Sequence, residues 1–210
     1  MKRRCIRIAV ALALALSALL PSAAARSGVS AAVSPVDLSL PAGYVPAGYV
    51  AVPANSYALT RAGMVPLLGN YLTGVFVHNG WSAGFHGWLE ASDPSGAAFV
   101  TYDLFEFRTT AGAQSVLTPY LDLMSGTETV LSDSRLPAGA AVFLDTAGTY
   151  GPGKPFAAAE VVFCLHNVLA DATGYYDGGD AAADNGAVAA AIGAVAPIAA
   201  WLRARSGEVK

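Results

Sequence analysis

Residues 97–107, AAFVTYDLFEF, alternate apolar and polar positions in the manner of a strand. Ala98, Val100, Tyr102 and Leu104 share one face, whereas Phe105 and Phe107 fall on the other. Either both faces are covered or a bulge shifts the register near Leu104. Over 109–125 the period changes. Ala113, Val116, Leu117, Tyr120, Leu121 and Met124 draw one apolar stripe on a helix. Pro119 inside it predicts a kink, or a fresh start capped by Thr118.

Upstream, Tyr71–Val77 is a short apolar run rich in aromatic and β-branched residues, which reads as strand. Ser92-Asp93-Pro94-Ser95-Gly96 has the chemistry of a turn. Downstream, AAVFLDT after Leu136-Pro137-Ala138-Gly139 reads as a strand, and Gly148–Pro155 as a loop. Residues 157–173 read as two strands joined at His166-Asn167, with the asparagine suited to positive φ. An Ala-rich helix spans about 181–204, capped by Asp180 and loosened by Gly186, Gly193 and Pro197. Strands, helix, strands, helix is the order of an α+β fold. The sheet is expected to be mainly antiparallel and built of hairpins, with a kinked middle helix and the C-terminal helix packed on it.

The N-terminal pattern belongs to targeting rather than to the fold. Lys2, Arg3, Arg4 and Arg7 precede an apolar run, Ile8–Leu20, and Ala23-Ala24-Ala25 supplies small residues for cleavage. That is the layout of a secretory signal peptide over 1–25, and the run is short of the ~20 apolar residues of a bilayer span. Residues 26–55, rich in Ala, Ser, Pro and Gly, repeat Pro-Ala-Gly-Tyr-Val and read as a linker whose tyrosines dock on the domain. A single domain then covers 56–205, with a tail at 206–210. Residues 187–202 carry no charge, but alanine, Gly193 and Pro197 dominate, so a packed helix is expected rather than an integral membrane span.

Without its leader the chain keeps eight of its 12 basic residues and all 15 acidic ones, an acidic balance that excludes a basic nucleic-acid face. Cys164 alone remains of two cysteines, so no intramolecular disulfide is expected and the thiol reads as a small buried group. His78, His86 and His166 lack zinc-ligand spacing, and Asp171, Asp177, Asp180 and Asp184 lack that of a calcium loop. No metal and no cofactor is expected.

Gly80-Trp81-Ser82-Ala83-Gly84 matches the nucleophile elbow of serine hydrolases, and Ser82, Asp145 and His166 occur in the chain order of a triad. An elbow needs a strand before the serine and a helix after it. Phe85-His86-Gly87-Trp88 is a poor helix start, and too little chain precedes Ser82 for an α/β-hydrolase sheet. A small secreted serine hydrolase is therefore the alternative, and no catalytic residue is assigned under the favoured reading. Trp81, Trp88, Tyr102, Tyr175 and Tyr176 are the candidate ligand-binding side chains, because large aromatics dominate recognition surfaces.

The stretch GWSAGFHGWLEASDPSGAAFVTYDLFEFRTTAGA, 80–113, resembles secreted and lipoprotein domains of actinobacteria, and VVFCLHNVLADAT resembles their second hairpin. The resemblance implies a small envelope domain broadly of the PsbP/Mog1 type. It brings no established activity to carry over, and the lipobox of the lipoproteins is missing here. A secreted, non-catalytic binding or scaffolding domain with a cell-wall or envelope ligand is the expected function; no specific partner is named.

Overall fold

The computed structural model describes residues 38–93, 97–124, 134–150, 154–178 and 180–207. The chain is α+β, with one antiparallel sheet between helical layers. After β1 (Tyr49–Ala51) and β2 (Tyr57–Ala58) comes helix α1 (Arg61–His78). Then follow β3 (Trp81–Ala91), β4 (Ala97–Phe107), α2 (Thr110–Met124), β5 (Ala141–Tyr150), β6 (Lys154–Leu165), β7 (Val168–Asp177) and α3 (Ala181–Gly207). The sheet order is β1-β3-β4-β7-β6-β5, with β2 also on the outer edge of β3. Hairpins join β3 to β4 and run from β5 through β7, while α2 carries the chain from the middle of the sheet to its far edge.

Tyr71–Val77, expected as strand, is the second half of α1. Met64, Leu68, Leu72 and Phe76 are buried and recur every four residues, so a helical face wins over the local β-branched composition. Thr60 caps this helix, its hydroxyl accepting from the Gly63 amide at 3.0 Å. Gly69, at φ 75°, breaks the helix into two pieces. Asn79 and Gly80 stop it, with Gly80 at φ 85° in the left-handed conformation that follows many helix ends.

Both faces of β4 are covered, and the register runs without a shift from Phe99 to Glu106. Val100, Tyr102 and Leu104 lie in the core beneath α3; Phe105 and Phe107 lie in a second core with α1 and α2. On the α3 side small residues meet small residues: Ala157, Ala159, Ala170 and Ala172 of the sheet share a core with Ala187, Ala191 and Ala194 of the helix. Close approach follows, and a Cβ on Gly174 would stand 2.6 Å from the Ala187 carbonyl oxygen. Helix α3 is long and apolar enough to cross a membrane by length and composition, yet its Ala191, Val195, Ile198 and Leu202 are buried against the sheet. Asp180 caps it, its Oδ1 accepting from the Ala183 amide at 2.9 Å.

Two local expectations change. Residues 38–55, read from composition as linker, pack on the sheet: Leu38 and Leu40 are buried in the α3-side core, and β1 pairs with Leu89–Ala91. At the β6–β7 turn it is His166, not Asn167, that takes positive φ, 54°. Asn167 serves the turn differently, its Nδ2 donating to the Phe107 carbonyl at 2.7 Å.

Candidate functional site

Alternation along β3, β4, β6 and β7 puts a row of polar and aromatic side chains on the α1/α2 side, beyond the apolar patch those helices cover. His86 pairs with Asp103 and Asp103 with Asp171 across the strands; Trp88 pairs with Thr101, Thr101 with Thr173 and Thr173 with Glu160. One pair further on, Phe99 faces Tyr175. Three adjacent strands thereby contribute a stacked ladder. The Trp88 and Phe99 rings are 4.2 Å apart at 12°, and the Phe99 and Tyr175 rings 4.3 Å apart at 21°. Phe156 closes the ladder 5.8 Å from Tyr175. All four rings are partly exposed.

Beside the ladder lie two buried acids, Asp171 and Glu160, each 6 % exposed. Burial raises the Asp171 pKa well above the usual carboxyl range, with the charge of Glu160 adding to it. Tyr120 reaches down from α2 and donates its hydroxyl to Asp171 Oδ2. The Thr173 hydroxyl donates to Asp171 Oδ1 at 3.4 Å. Burial also pushes the Tyr120 and Tyr175 phenols up. Tyr120, Asp171 and Thr173 thus form a hydrogen-bonded floor.

The five aromatic candidates separate. Trp88 and Tyr175 share the ladder. Tyr102 and Tyr176 point to the opposite face: the Tyr102 hydroxyl accepts from the Leu40 amide at 3.2 Å, and the Tyr176 ring lies against Gly186 of α3. Trp81 sits at the far end of β3, half-buried against the α1/α2 core, opposite Phe107. Phe99, Phe156, Tyr120, Glu160 and Asp171 belong to the site without having been singled out for it. Thr101-x-Asp103 and Asp171-x-Thr173, polar pairs spaced by two in otherwise apolar strands, were the available signal.

Ser82 stands inside β3, with a helix before it and strand after it, the reverse of an elbow's order. Its hydroxyl donates to the Glu106 carbonyl at 3.1 Å. His166 Nε2 instead lies 3.0 Å from Ser206 Oγ, and β4 runs between the strand of Ser82 and the strand that follows His166. Two strand spacings, about 10 Å, separate those strands. Asp145 is on β5, at the opposite edge of the sheet from β3, so the three do not converge. Gly80 serves as the helix stop, and Gly84 gives room to Leu59, whose Cβ would lie 3.0 Å from an added Cβ. The five-letter match therefore has a full structural account. Cys164 is half-buried, its Sγ 3.5 Å from the Ala113 carbonyl, and burial pushes its thiol up to about 11, away from nucleophilic use.

Neither a protein-family model nor a curated protein matches the sequence. Among solved structures, the extracellular domain of PknH from Mycobacterium tuberculosis is similar at a TM-score of 0.46 and 12 % identity, over 80 % of this chain and 94 % of that one.

Proposed function

We propose that this is an exported, non-catalytic domain that binds an envelope ligand at the aromatic end of its α1/α2 face. The leader-like pattern of residues 1–25 supports export, and the resemblance of residues 80–113 to actinobacterial envelope domains supports the compartment. One observation carries the binding role: the partly exposed Trp88–Phe99–Tyr175 ladder stands directly beside the hydrogen-bonded floor of Asp171, Thr173 and Tyr120. Apolar wall and a few convergent polar groups are what small-molecule sites combine.

The ring geometry narrows the ligand. Because the rings stack on one another, they turn their edges outward and offer no row of flat faces on which sugar rings could lie. An uncharged, largely apolar ligand with one hydrogen-bonding end suits this surface. Titrating the protein with lipid extract and, separately, with cell-wall fragments while following tryptophan emission tests the reading. The expected result is a saturable change with the lipid fraction that is lost in Trp88→Ala and in Tyr175→Ala. No change with either fraction, in folded protein, removes the site.

A further inference from the structure

We propose, on the basis of the binding site inferred above, that His86 receives the polar end of the ligand and selects for a hydroxyl, which donates its hydrogen to Nε2. Strand pairing sets Tyr57, His86, Asp103 and Asp171 in one row across β2, β3, β4 and β7. Trp88 stands two residues along β3 from His86 on the same face, about 6.5 Å away between Cα atoms. The imidazole therefore borders the aromatic ladder that Trp88 begins.

The ring is held by two neighbours. Asp103 Oδ1 lies 2.9 Å from Nδ1, and the Tyr57 ring lies against the imidazole at a centroid distance of 5.0 Å. A carboxylate can only accept, so the hydrogen of that contact is on Nδ1. The bond made by one ring nitrogen fixes the state of the other. Neutral His86 therefore offers Nε2 as an acceptor, whereas the imidazolium offers a donor there instead. No described residue hydrogen-bonds to Nε2, and the side chain keeps 13 % exposure. A lone acceptor at the border of an apolar ladder calls for a donor, and on an uncharged ligand the smallest is a hydroxyl. An anionic end is disfavoured by Asp103 beside the ring and by Glu90 on the same face of β3.

Protonation competes with that hydroxyl. The groups facing the imidazole are Tyr57 on β2, Asp103 on β4, Asp171 behind it on β7 and Tyr120 on α2, which donates to Asp171. Helix α1 brings Arg61 and His78 at its two ends and the exposed Tyr71. Of these, Asp103 is the one that raises the His86 pKa above 6.5. Affinity for a hydroxyl should then fall as the pH drops through that raised value, by up to about tenfold per unit. By reciprocity the bound hydroxyl lowers the His86 pKa. Octanol and its isomer heptyl methyl ether, which has an oxygen acceptor but no donor, are titrated into the protein from about pH 5.5 to about pH 9 while tryptophan emission is followed. Octanol is expected to bind more tightly as the pH rises and to lower the His86 pKa in a proton NMR titration; the ether is expected to do neither. His86→Gln should bind octanol with an affinity that no longer follows pH. Octanol that does not bind, octanol affinity that is flat with pH, or an ether that behaves as octanol does overturns the role of His86 in the native protein alone, and a slope kept in folded His86→Gln does the same. A lipid response that needs Trp88, alongside flat octanol binding, removes His86 and leaves the site standing, whereas loss of the lipid response removes both.

Discussion

His86 on β3 and Asp103 on β4 stand directly opposite each other, with Nδ1 2.9 Å from Oδ1. Their side chains are 13 % and 20 % exposed, so the contact is largely shielded without being sealed. The Tyr57 ring lies over the imidazole at 5.0 Å and 32°. Burial by itself disfavours the imidazolium, but the charge of Asp103 and its hydrogen bond outweigh that, and the His86 pKa is raised above 6.5.

Two opposed causes make the pair separable by mutation. In a proton NMR titration His86 is expected to titrate above 6.5 in the native protein and below it in Asp103→Asn, where burial acts alone. A native value below 6.5 would contradict the pairing. The sign for stability follows from linkage. The contribution of the pair is complete below the unfolded value near 6.5 and is lost as the pH rises through the higher native one. The gap in thermal midpoint between native protein and Asp103→Asn should narrow over that interval.

The approach of α3 to the sheet is set by backbone rather than by side chains that can turn away. A Cβ on Gly174 would meet the Ala187 carbonyl oxygen and the Ala191 amide nitrogen, both at 2.6 Å. Gly174→Ala is expected to cost roughly 1–3 kcal/mol, the range of core overpacking, as the helix is pushed outward. Gly193, on the outer side of the same helix, has nothing within 4 Å of an added Cβ. Gly193→Ala should therefore stabilise by about 0.5–1 kcal/mol through helix propensity. Urea unfolding of the two variants measures both signs, and equal effects would refute the asymmetry.

What could be read from residue order was whatever rests on local period. The alternation of β4, the stripe of α2, the hairpin at 166–167 and the Ala-rich α3 all have signals shorter than the element itself. Helix α1 escaped because Pro66 and Gly69 interrupt the spacing of Met64, Leu68, Leu72 and Phe76, leaving Tyr71–Val77 to look like an isolated strand. Of the site, Trp88 and Tyr175 were legible as large aromatics, whereas their separation from Tyr102 and Tyr176 depends on strand phase. The acids were not legible. Glu160 and Asp171 meet only through the β6–β7 register, and Asp103 joins them through a pairing between strands far apart in the chain.

Ser82 offers the most direct chemical test of the non-catalytic reading. Its hydroxyl is engaged with the Glu106 carbonyl at 3.1 Å, and His166 is engaged with Ser206. A fluorophosphonate probe is expected to leave the native protein unlabelled, and Ser82→Ala to fold with a loss of about 0.5–1.5 kcal/mol, one hydrogen bond. Stoichiometric labelling that vanishes in Ser82→Ala would make the protein a serine hydrolase despite the strand around it.

The packing of the segment before β1 makes the last prediction. Leu38 is fully buried and Leu40 nearly so, in the same core as Val100, Tyr102 and Leu104, although both precede the Pro-Ala-Gly repeats that suggest a linker. The Leu40 amide donates to the Tyr102 hydroxyl, and a Cβ on Gly87 would lie 2.0 Å from the Tyr102 ring, so that ring is confined between the strand and this segment. Removing the Leu38 side chain empties space in this core. Leu38→Ala should cost about 2–5 kcal/mol, as other buried leucines do, and Tyr102→Phe roughly 1 kcal/mol for its single hydrogen bond. A linker would tolerate both at the 38–40 end without change. Thermal unfolding of Leu38→Ala with a midpoint equal to the native one would return residues 38–40 to the linker.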